Sequence, residues 1–216
     1  MTLSPLDTIS TSYIPKKSRV LDLGCADGKL GKYLINHLDC YVVGVEKEKK
    51  QAKIAQKCLH KVIIGNLENQ QIIQLIKRQE KFDVIFASSI LEHLTLPQNT
   101  IKGIIPSLKK NGVIIITLPN VAYWLVRLNL LFGNFNYTKS GILDITHLRF
   151  FTIKTARNFI SKDCSLKILT TEYDFPQLPI ASKLLSYLKI YEFQTKIFKR
   201  FPNLFAYQVL FVTKAK

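Results

Sequence analysis

The chain has 216 residues, enough for one domain with a full core, and its 47% hydrophobic content excludes a disordered chain. Its formal net charge of +16 is uneven: residues 1–100 carry 14 Lys/Arg against 10 Asp/Glu, whereas residues 101–216 carry 17 against 5. A basic second half invites an anionic partner (a phosphorylated substrate, a membrane surface or nucleic acid), although 25 of the 31 basic residues are Lys, which compositional drift alone would produce.

Met1 to Pro15 shows no charged segment leading into an apolar run, so no export signal is read there. Apolar runs of period two separated by amphipathic stretches then alternate along the chain. Strand 19–23 breaks at Gly24 and leads into a helix over 28–38. Strand Tyr41–Glu46 precedes a helix over 48–58, and strand Val62–Ile64 precedes one over 69–79. Strand Phe82–Ala87 is followed by a helix from Pro97 to Leu108, and Asn111-Gly112 turns the chain into strand Val113–Thr117. The apolar stretch Val113–Phe132 is interrupted by Pro119, Asn120, Arg127 and Asn129, so it reads as strand then helix (120–132) rather than a membrane span. A polar loop over 133–150 follows, then a helix over 153–162 and a strand over 166–173. A basic amphipathic helix over 180–200 and a last strand Tyr207–Thr213 close the chain.

Strands separated by helices predict an α/β fold with a doubly wound, mostly parallel sheet, whose ligand binds beyond the carboxyl ends of the strands. One domain is expected over 1–216: a cofactor-binding core at 15–118, a substrate-side insertion at 119–165, and C-terminal strands with the basic helix at 166–216. The four cysteines (25, 40, 58, 164) lack metal-ligand spacing, so reduced thiols, no metal and a cytoplasmic protein are expected.

The turn Asp22-Leu23-Gly24-Cys25-Ala26-Asp27-Gly28 carries the chemistry. A dinucleotide turn needs G-x-G-x-x-G, but here residue 26 is Ala and the glycines fall at 24, 28 and 31. Asp22 and Asp27 would repel a pyrophosphate yet receive an ammonium group. Glu46, at the end of the second strand, can accept both hydroxyls of a ribose; the plainer reading is a helix N-terminal carboxylate.

The turn resembles motif I of the class I S-adenosylmethionine (SAM) methyltransferases, in the variant D-x-G-C-x-x-G. Gly65-Asn66-Leu67-Glu68 is similar to their G-D-L-E turn, with Asn66 in place of the acid that accepts from the adenine amino group. Ser88-Ser89-Ile90-Leu91-Glu92-His93-Leu94 resembles the L-E-H-L segment of one branch. The [DN]-P-P-[YF] motif of base-amine methylation does not occur. Asp144-Ile145-Thr146-His147-Leu148-Arg149-Phe150-Phe151-Thr152 looks like the D-x-T-H-x-R-F-F-T segment of methyltransferases found among cell-surface polysaccharide and lipid-modifying genes, and more distantly like MetW.

The resemblance implies a seven-stranded sheet, SAM as cofactor, and methyl transfer to a hydroxyl of a small-molecule or lipid-linked glycan acceptor. It implies cofactor contacts at Asp22, Gly24, Cys25, Ala26, Gly28, Glu46, Asn66, Leu67 and Ser88. Acceptor contacts fall at His93, Asn120 and Arg149. His147 would be a proton-accepting base oriented by Asp144, or else a histidine that only caps backbone. Two alternatives stay open: a MetW-like SAM-binding protein that works with a partner, and an RNA methyltransferase, although nucleic acid is not the expected partner. The helix over 180–201 would lie on an anionic membrane or pack on its own domain. No oligomeric state is implied.

Overall fold

The computed structural model describes residues 3–176 and 196–216. Strands β1 (Arg19–Leu23), β2 (Tyr41–Glu46), β3 (Lys61–Ile64), β4 (Phe82–Ser88), β5 (Leu108–Pro119), β6 (Leu166–Asp174) and β7 (Gln208–Ala215) form a seven-stranded sheet in the order β3-β2-β1-β4-β5-β7-β6. β1 to β5 pair in parallel, and β7 runs antiparallel between β5 and β6. Helices α1 (Pro5–Thr11), α2 (Lys29–Leu38), α3 (Lys49–Ala55), α4 (Gln70–Lys77), α5 (Pro97–Ile104), α6 (Trp124–Leu131) and α7 (Ile153–Asn158) surround it. The expected mostly parallel, doubly wound sheet is therefore present. Among the described residues no helix is long and apolar enough to cross a membrane.

The period-two alternation of each strand sends its side chains to two separate cores. Leu21, Leu23, Val43, Val45, Ile85 and Ile114 pack on the side of α4, α5 and α7. Val20, Val42, Val84, Phe86 and Ile115 pack on the opposite side, with residues of α1 and α2. By the same alternation Asp22, Glu46, Ser88 and Thr117, near the carboxyl ends of β1, β2, β4 and β5, fall on this second face. The polar residues of four strands are thus gathered at one end of one face.

Several boundaries differ from the sequence expectation. Asn111-Gly112 does not turn the chain before a strand. Phe82 pairs with Leu108 and Val84 with Val113, so residues 109–112 bulge out within β5. Lys109 closes this bulge by an ion pair of 2.9 Å to Asp83. The helix expected from 120 begins at Trp124, because Asn120 spends its side-chain oxygen on the Ala122 amide. α7 ends in a π-helical turn, Phe159–Asp163.

α1 was not anticipated. Ser4 caps it by accepting from the Asp7 amide, and Pro5 occupies its first turn. It buries Leu6, contacts β6 and β7, and leads to Tyr13, whose hydroxyl donates to Glu172 at 2.7 Å. The amphipathic helix read over 180–201 lies mostly outside the described residues. Those described there, 196–200, are helical.

Candidate functional site

The turn after β1 takes its shape from three residues in left-handed backbone conformation: Gly24 (φ 70°), Ala26 (φ 46°) and Gly28 (φ 80°). A Cβ at Gly24 would lie 2.7 Å from Ile90 Cδ1 on a backbone already left-handed, so glycine suits both the turn and the close approach of the segment after β4. Gly24 and Cys25 both donate their amides to the Val45 carbonyl, at 2.8 and 3.0 Å. The Cys25 side chain packs away from the turn, and burial pushes its thiol up, leaving it inert.

Beneath the turn lie three carboxylates. Asp22 is buried, and burial together with the neighbouring Asp7 and Glu46 holds its carboxyl up at about 7. Asp7 reaches it from α1 and also accepts from the Ser88 hydroxyl at 3.0 Å; Ser88 in turn meets Thr117 at 3.0 Å. Glu46 accepts from the Ala26 amide at 2.9 Å and from the Glu48 amide at 2.8 Å, so the carboxylate is aimed and held. Acids gathered in this way, at the end of the sheet, favour a cationic ligand group.

A pocket opens beside them. Gly24 and Glu46 line one end, Asn66, Leu67 and Glu68 the other, and Ile90 and His93 the wall between. Leu67 is buried and offers an apolar face; the exposed Asn66 closes the turn by accepting from the Glu68 amide at 3.0 Å. Glu68 accepts from the Thr95 hydroxyl and the Leu96 amide, which fixes the pocket's outer edge. An ammonium-bearing adenosine ligand fits this layout: acids at the turn, a held carboxylate at ribose distance along β2, and an apolar shelf with amide groups beyond.

Beside the pocket the 3₁₀ turn Leu91–His93 meets the segment 142–151. Leu148 and Arg149 both donate their amides to the Glu92 carbonyl, at 2.9 and 3.1 Å. His93 and His147 sit edge to face with ring centroids 4.7 Å apart. Glu92 is 1% exposed, neither of its carboxylate oxygens has a hydrogen-bond partner among the described residues, and burial pushes its carboxyl up to about 8. Phe151 anchors the segment in the main core, whereas Phe150 packs against Phe135 and Tyr137 within the insertion.

On this side the structure gives three of the expected residues other contacts. Asn120 is fully buried, donating to the Asn203 and Ala206 carbonyls and accepting from Ala122, so it holds the tail and offers nothing to an acceptor. Asp144 does not orient His147: its carboxylate takes the hydroxyl and amide of Thr146, and the imidazole is held by the Ile142 carbonyl at 3.0 Å. Arg149 spends its guanidinium on the Thr95 carbonyl, tying the insertion to the pocket edge. Asp7 and the buried Glu92 carried no role in the sequence reading. The Ser-Pro start of α1 with Asp7 in its first turn was the available signal for the former.

Residues 14–169 match the family described as methyltransferase domain. The ubiquinone biosynthesis O-methyltransferase of Coxiella burnetii is 32% identical over 98 residues, 45% of this chain and 42% of that protein, so the match spans under half of the curated relative. Among solved structures, a SAM-dependent methyltransferase of Archaeoglobus fulgidus superposes with a TM-score of 0.64 at 18% identity, covering 97% of this chain and 92% of the other. One of Thermotoga maritima gives 0.62 at 17% identity, covering 97% and 88%. Those likenesses establish the shared fold, and the family match spans well over half of the sequence. The chain therefore belongs to the methyltransferase domain family.

Proposed function

We propose that the acceptor is a hydroxyl group on a small or lipid-linked molecule and that the product is a methyl ether. One observation carries this reading: His93 lines the cofactor pocket and meets His147 edge to face, and exposed apolar side chains, Ile145 (68% exposed) and Leu148 (61%), stand near His147 in the chain. When bound, SAM supplies an electrophilic methyl group on a sulfonium. The chain's own residues align the acceptor, exclude water and accept one proton, because O–H becomes O–CH3. Both imidazoles use Nδ1–H on backbone carbonyls, which leaves each Nε2 lone pair free for acid–base or ligand chemistry on the acceptor side. The curated relatives named as O-methyltransferases support an oxygen acceptor.

The acceptor is expected to enter over α6 and the loop after it, where Leu128, Leu131 and Phe132 are exposed. A glycan carried on a lipid, or a phenolic lipid, suits such an apolar approach. The test is transfer of labelled methyl from SAM to a panel of hydroxylated lipids, lipid-linked glycans, amines and RNA. Methyl ether formation confined to the hydroxylated compounds is the expected result. Labelling of amines or RNA alone would refute the assignment.

A further inference from the structure

We propose that Glu92, His93 and His147 form a binding site for a divalent transition cation, zinc before others, at the acceptor edge of the cofactor pocket. One ligand atom of each residue lies within 4.8 Å of the others, and Glu92 Oε1 is 3.9 Å from His147 Nε2. That separation is too long for a hydrogen bond between them. It is close to the spacing of two ligands on one cation: bonds of about 2.0–2.2 Å in tetrahedral array put ligand atoms about 3.4 Å apart.

Two further features point the same way. The Glu92 side chain is buried, and both of its oxygens lack a partner among the described residues, a costly arrangement unless something else binds there. Both histidines are also in the tautomer that a metal needs. His93 Nδ1 lies 3.2 Å from the Thr146 carbonyl and His147 Nδ1 lies 3.0 Å from the Ile142 carbonyl. A carbonyl only accepts, and the Thr146 hydroxyl, 3.1 Å from His93 Nδ1, gives its own proton to Asp144, so each Nδ1 is placed to carry the proton and each Nε2 to present a lone pair. Backbone carbonyls that hold the outer nitrogen of a ligating imidazole are the usual support of His ligands. Thr146 is itself fixed by Asp144, at 2.6 Å from its hydroxyl. Two histidines and one carboxylate leave coordination positions open, as catalytic sites do.

The sequence expectation of no metal rested on cysteine spacing and missed this cluster, because tertiary contact brings His147 to Glu92. The binding site stands on geometry alone. Only its use, holding and acidifying an acceptor hydroxyl, rests on the proposed function above.

The experiment uses the full chain stripped with a chelator and titrated with Zn2+ and Co2+, with and without S-adenosylhomocysteine. The expected result is one cation per chain after dialysis, with visible d–d absorption for Co2+. Of the four histidines, only His93 and His147 should show Nε2 nitrogen-15 shifts on adding Zn2+, while His37 and His60 stay unmoved. Glu92→Gln and His147→Gln should each weaken the cation at least a hundredfold while S-adenosylhomocysteine affinity changes less than threefold, which shows that they fold. If either variant does not fold, the nitrogen shifts of the unaltered chain decide. Unmoved His93 and His147 signals, or binding that survives both substitutions, overturns the site. A zinc-loaded enzyme that methylates no hydroxyl overturns the acceptor reading and leaves the site standing.

Discussion

Asp22 shows how a single buried carboxyl ties stability to pH. Its carboxyl is raised from 3.8 to about 7 in the folded chain, so between those values the folded state holds a proton that the unfolded state has released. Stability from this group is therefore lost as pH rises through that window. Asp22→Asn should leave thermal stability unchanged near pH 4 and raise it at pH 8; each kcal/mol recovered moves Tm by about 2–4 °C in a chain of this size. The same substitution should weaken SAM binding, and in the unaltered protein SAM affinity should climb with pH through about 7 as Asp22 ionises. Calorimetric titration at pH 6 and pH 8 checks this, and a flat profile would contradict it. Glu46 differs, because its carboxylate already holds the Ala26 and Glu48 amides. Glu46→Ala should cost SAM affinity at least tenfold, since hydrogen bonds to a charged group are worth about 1.5–3 kcal/mol. It should also lower Tm by freeing those two amides. Unchanged affinity by titration would remove Glu46 from the ribose site.

Elements place these residues, and the sequence declared some placements better than others. The strands and their terminal acids were legible because period-two alternation and a glycine turn are local signals. Asn120 shows the opposite case: the sequence puts it at the start of a helix and among the acceptor contacts, and nothing nearby announces that residues 203–206 will cover it. The meeting of the Leu91–His93 turn with residues 142–151 is likewise tertiary and invisible to periodicity. α1 is short and mixed in polarity and carries no apolar stripe that periodicity could read. The clamp between the two acceptor-side segments yields a test at this scale. Arg149 bonds the Thr95 carbonyl, and the Thr95 hydroxyl bonds Glu68 at the pocket edge. Arg149→Ala should loosen residues 146–150, raising KM for the acceptor severalfold while SAM affinity shifts less than twofold. Equal loss for both ligands would show instead that Arg149 supports the whole pocket.

At the scale of the molecule, charge and exposed apolar surface lie in the same part of the chain. Residues 101–216 hold the excess of basic side chains, and the end of α6 with the residue after it exposes Leu130 (57%), Leu131 (79%) and Phe132 (72%). Exposed apolar side chains together with excess basic charge are the combination that holds a protein on an anionic bilayer without crossing it. Peripheral binding of this kind would bring a lipid-linked acceptor to the open side of the pocket while the cofactor enters from solution. The chain should then pellet with vesicles containing phosphatidylglycerol but not with vesicles of phosphatidylcholine alone. Salt should release it, because the screening length falls from about 8 Å at 0.15 M to about 3 Å at 1 M. A Leu131→Glu/Phe132→Glu double variant should stay in the supernatant and keep its SAM affinity, since neither residue lines the cofactor pocket. If the unaltered chain does not pellet with anionic vesicles even at low salt, the basic half serves the substrate rather than the membrane. An acceptor with a phosphate or carboxylate of its own would then be the better match for that charge.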